Sequence, residues 1–71
     1  MGYYSVLIIL RVANSPHHYT YTWETVYFGE DENMMRVRFF DAARKAQTMP
    51  NAETVVVRYG FEELVRVRIE H

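Results

Sequence analysis

The chain has 71 residues, enough for one domain and close to the lower limit at which a single hydrophobic core holds a chain folded. With 49% hydrophobic and 24% charged residues and a formal net charge of −1, its composition excludes a disordered chain, a strongly basic nucleic-acid tail and an acidic mimic acting by bulk charge. The absence of cysteine excludes disulfides, thiolate zinc sites and thiol nucleophiles.

The first predicted element is a strand from Tyr3 to Val12, in which Tyr4, Val6, Ile8, Leu10 and Val12 alternate with Tyr3, Ser5, Leu7, Ile9 and Arg11. Its aliphatic stretch Val6–Leu10 is far short of the ~20 residues needed to span a bilayer. No basic segment precedes that stretch and no small-residue cleavage site follows it, so a cytoplasmic domain without membrane contact is expected. Asn14-Ser15-Pro16 stops the strand, because proline cannot donate to a ladder and Asn and Ser favour turns. A second strand runs from about Tyr19 to Phe28, rich in aromatic and β-branched residues. The polar segment Gly29–Asn33 follows as a turn.

Met34–Phe40 reads two ways. As a helix it lines Met35, Phe39, Ala42, Ala43 and Ala46 on one face; as a strand it alternates Met35, Val37 and Phe39 with Arg36, Arg38 and Phe40. The strand is preferred, because Asp41 is a good N-cap immediately before the helix-forming segment Ala42–Gln47. Pro50-Asn51 ends that short helix. Two more strands follow, Thr54–Tyr59 and Leu64–Glu70, joined by a hairpin at Gly60–Glu63. The expected fold is a single α+β domain over 1–71, a mostly antiparallel sheet of four or five strands with one helix packed on one face. Its order is β-β-β-α-β-β, or β-β-α-β-β if residues 34–40 are helical.

Side chains alternate across a sheet, so the parity of each strand can be summed. With the more apolar parity against the helix, the opposite face receives Arg11, Arg36, Arg38, Arg58, Arg66 and Arg68, six of the eight basic residues. Of the acidic residues only Glu24 and Glu70 share that face; the rest fall in turns, at the cap or before a strand. Seven of the eight basic residues are arginine, whose planar fork binds carboxylates or phosphates and stacks on aromatic rings. The plainer alternative is a solvated sheet face on which arginines cover apolar atoms and form weak exposed pairs.

Tyr19, Tyr21, Trp23 and Tyr27 share one parity of the second strand, and a core position is expected for them. A bulge or register shift would instead turn them outward, and Tyr21 and Trp23 would then join the arginines as a binding platform. His17 and His18 fall in the proline loop and His71 at a frayed chain end, with no third ligand at a metal-binding spacing. Glu30-Asp31-Glu32 lacks the spacing of a calcium loop. No phosphate loop, nucleophile elbow or convincing acid–base pair is present, so no catalytic residue, metal or cofactor is expected.

The functional expectation is a non-catalytic protein-interaction module that covers an acidic partner surface. An inhibitor or accessory protein of phage or mobile-element type fits this size, as anti-CRISPR proteins do, though no motif carries that analogy. The alternative is nucleic-acid binding by the same Arg/Tyr/Trp face. A homodimer burying Leu7, Ile9 and Val56 is a further expectation.

Overall fold

The computed structural model describes residues 2–71; Met1, the first residue of the expected 1–71 domain, and the side chain of Ser15 lie outside the description. The elements in order are β1 (Tyr4–Ser15), β2 (His18–Gly29), α1 (Glu32–Gln47), β3 (Ala52–Tyr59) and β4 (Glu62–Arg68). All neighbouring strands are antiparallel, in the order β2-β1-β3-β4. The fold is therefore α+β, in its four-stranded form.

The alternation of β1 and β3 places Val6, Ile8, Val55 and Val57 on one side of the sheet, each essentially inaccessible to solvent. Met35, Ala42 and Ala46 of α1 press on this row, together with Ala52 and Ile69. Two alanines at the contact bring the helix close to the sheet with no side-chain entropy to lose. The helix lies over β1, β2 and β3, whereas every residue of β4 is exposed.

The preferred strand at Met34–Phe40 is not observed: the segment lies inside α1. Connectivity gives the reason. β2 ends opposite Tyr4 and β3 begins opposite Leu10, so the connection must travel the length of the sheet. A 16-residue helix spans about 24 Å and makes that journey unaided. Asp31, not Asp41, is the N-cap: its carboxylate accepts from the N–H groups of Asn33 at 2.8 Å and Met34 at 3.1 Å. Tyr27 steadies the approach by accepting from the Asp31 N–H at 3.2 Å. Asp41 lies within the helix and pairs with Arg44.

Gly60 closes the β3–β4 hairpin with φ 59°, a positive value at the first of two loop residues, as in a type II′ turn. At the other end, β1 pairs with β3 only as far as Leu10 but with β2 as far as Ser15. The β1–β2 hairpin thus projects beyond the four-stranded part, and the molecule measures 42 × 23 × 14 Å.

Candidate interaction face

Among the described residues no element covers the sheet surface away from α1, and three β-bulges decide what stands on it. The first is at Val26, where the register passes from Val6↔Tyr27 to Leu7↔Thr25. The extra residue breaks the common parity of the β2 aromatics. Tyr27 turns toward the core, while Tyr19, Tyr21 and Trp23 turn to the uncovered face, with Trp23 63% exposed. The expected core position therefore fails for these three, and the outward alternative holds. Phe28 joins them and stacks on Tyr3 at 5.0 Å.

The other two bulges move carboxylates. At Leu64 the pairing shifts from Val57↔Val65 to Arg58↔Glu63, which brings Glu63 to the same face as Arg66. The Arg66 Nε and Nη2 donate to the Glu63 carboxylate at 2.8–3.2 Å. This hydrogen bonding holds the Glu63 carboxyl below its ordinary range and raises Arg66. At Glu53 the register passes from Ile9↔Thr54 to Leu10↔Ala52, and the Glu53 carboxylate stands 3.6 Å from Arg11. Glu24, expected among the arginines, lies instead on the helix side and pairs with Lys45.

Four of the six predicted arginines, Arg11, Arg58, Arg66 and Arg68, share the uncovered face through their strand registers. Arg36 and Arg38 do not, because they belong to α1 on the other side of the sheet. Arg36 pairs with Glu32 one turn earlier. On the face, Arg11 also lies over the Tyr19 ring at 4.8 Å, and Arg58 donates to the Phe61 carbonyl at 3.2 Å. Among the described residues, Arg68 has no ion-pair or hydrogen-bond partner.

Read across the strands, the face is ordered in rows. One row runs Trp23, Ile9, Thr54, Arg68; the next runs Thr25, Leu7, Val56, Arg66; a third runs Phe28, Ser5, Arg58, Glu63. Trp23 and Phe28 thus stand on the β2 side, Leu7, Ile9 and Val56 form an aliphatic patch at the centre beside Ser5, Thr54 and Arg58, and charged residues occupy the β4 side. Val56 is only 3% exposed although it lies on the uncovered face, which marks the aliphatic centre as well packed. Three strand spacings separate Trp23 from Arg68, about 14 Å.

Two depressions follow from this layout. An apolar trough of about 390 Å³ is lined by Leu7, Ile9, Trp23, Phe28 and Phe61 among others. A polar hollow of about 450 Å³ lies at the far end, lined by Arg11, Glu53, Arg66, Arg68 and His71. His71, expected to fray, donates from Nε2 to the Ala52 carbonyl at 2.8 Å and helps to wall the hollow. Phe61, 98% exposed at the hairpin tip, and Phe28 were not among the sequence-predicted site residues. A Phe set between Gly60 and two glutamates in a hairpin connection, where no core position is available, is the signal that could have found the first.

Among the described residues no cluster of three His, Asp or Glu could hold a metal ion, and no helix is long and apolar enough to cross a membrane. Comparison with known protein families, curated proteins and solved structures found no match.

Proposed function

We propose that this chain is a non-catalytic protein-binding module that uses its uncovered sheet face to mask a partner. The observation that carries this reading is the ordered face itself: Trp23, Phe28 and Phe61 around an aliphatic trough, with Arg68 unpartnered beside a second hollow. Interface centres are enriched in aromatic residues and arginine, and an apolar anchor supplies most of the affinity. The partner's contact segment would set an apolar side chain in the trough and a carboxylate at Arg68, about 14 Å away. Arg11 and Arg66 are engaged by Glu53 and Glu63, so the face offers an aromatic anchor with a cationic rim rather than a general positive field.

That balance also favours a protein over a nucleic acid, because two of the four arginines on the face are already partnered by carboxylates. The cysteine-free chain suits a reducing, cytoplasmic setting, and an inhibitor or accessory role suits its economy of size. The test is selection of a random peptide display library on the immobilised protein. Enriched peptides should combine a bulky apolar residue with an acidic one, and Trp23→Ala or Arg68→Glu should weaken them at least tenfold. Arg38→Glu, on the far side, should leave binding unchanged. Enrichment without such a pattern, or gel retention of DNA or RNA that falls steeply with salt, would refute the reading.

A further inference from the structure

The two edges of the sheet differ in a way that points to a second copy of the chain. An edge strand offers unpaired N–H and C=O groups, and proteins usually guard it with charges or proline. β4 is guarded: Glu62, Glu63, Arg66 and Arg68 occupy four of its seven positions. Self-pairing of β4 about Arg66 would set that arginine against itself, and about Val67 it would set Arg66 against Arg68; the register about Val65 would oppose Glu62 to Arg68, but the bulge at Leu64 interrupts it. The edge of β2 is different. From His18 to Thr25 it contains no lysine, arginine or proline, and Glu24 is its only carboxylate. Tyr19, Tyr21 and Trp23 line one side and Thr20 and Thr22 the other, and all five are exposed.

We propose that β2 pairs antiparallel with β2 of a second copy about a two-fold axis normal to the sheet, giving one continuous eight-stranded sheet. Such an axis brings together residues whose side chains share a face, so the numbers of facing residues sum to an even value. Centred on Tyr21, the pairing sets Tyr21 against itself, Tyr19 against Trp23, Thr20 against Thr22, and Glu24 against His18. Aromatic pairs, hydroxyl pairs and a carboxylate–imidazole pair are all favourable cross-strand neighbours. An axis at Glu24 would instead oppose two carboxylates. The bulge at Val26 ends the regular edge and so limits how far the register can slide. Both uncovered faces then point the same way, and the dimer presents two copies of the face side by side. The pairing rests on the β2 edge alone and stands whether or not the face binds a protein.

Sedimentation equilibrium of the full chain over a micromolar to millimolar range tests this. The wild-type chain should approach twice its 8.5 kDa monomer mass. Thr20→Lys/Thr22→Lys and Thr20→Glu/Thr22→Glu chains should each remain monomeric with an unchanged circular dichroism spectrum. Their equimolar mixture should recover the dimer, because each lysine then faces a glutamate. A wild-type chain that stays monomeric throughout, or a dimer that survives either double substitution, would overturn the proposal. A mixture that stays monomeric would overturn the register.

Discussion

Two carboxylates, Glu53 and Glu63, set the charge of the uncovered face. Each stands at or beside a bulge, and each reaches an arginine that simple alternation would have left unaccompanied. The pairs are solvent-exposed, so their contribution to stability is small and their main effect is to hold a guanidinium in place. Glu63 gives this a pH signature. Its carboxyl is held below the ordinary value, so its stabilising share is complete above that value and is lost as the pH falls through the lowered one. The melting temperature should therefore fall on acidification more in the wild-type chain than in Glu63→Gln, as thermal melts across the acid range would record. Equal slopes would mean that the pair has no thermodynamic weight. Arg68 contrasts with both partnered arginines: with no carboxylate to leave, it is free to meet one from elsewhere.

At the scale of elements, what was legible in the sequence divides along a physical line. Alternation in β1 and β3 placed the core correctly, because burial of one sheet face imposes it directly, whereas the valines of β4 stay exposed. The positions of Arg11, Arg58, Arg66 and Arg68 followed from the same alternation. Bulges erase that inference, since one added residue inverts the parity of all that follows. The outward turn of Trp23 and the placing of Glu63 both depend on such insertions, which carry no local signature strong enough to fix them. Met34–Phe40 failed for a different reason. Its apolar residues satisfy periods of 2 and 3.6 at once, and the choice was made by the distance the connection must cover between β2 and β3. Capping tests that choice. Asp31→Ala should cost about 1 kcal/mol in urea denaturation, the usual worth of an N-cap. Asp41→Ala should stay within about 0.5 kcal/mol, since it loses only an exposed pair within the helix. The reverse order would restore the short helix beginning at Ala42.

The whole molecule is a thin one: a single helix on a four-stranded sheet, with one face left to solvent. Such a domain has few fully buried side chains, and Ile8, Val6, Val55 and Val57 are the largest of them. Domains of this size hold only a few kcal/mol of net stability, and deleting a buried Ile side chain to Ala costs about 2–5 kcal/mol. Ile8→Ala should consequently lose the cooperative thermal transition or shift it below physiological temperature, whereas Trp23→Ala should melt within a few degrees of wild type. That asymmetry is expected if Ile8 serves the fold and Trp23 serves a partner. The most direct measurement is site-specific photocrosslinking from the face itself. A photoreactive residue installed at Trp23 or Arg68 should yield an adduct of one defined protein other than a second copy of the chain, competed by excess unmodified chain, while the same residue at Arg38 on α1 yields none. Adducts from Arg38 alone, or no adduct from either position on the sheet, would contradict the assignment of the uncovered face as the binding surface.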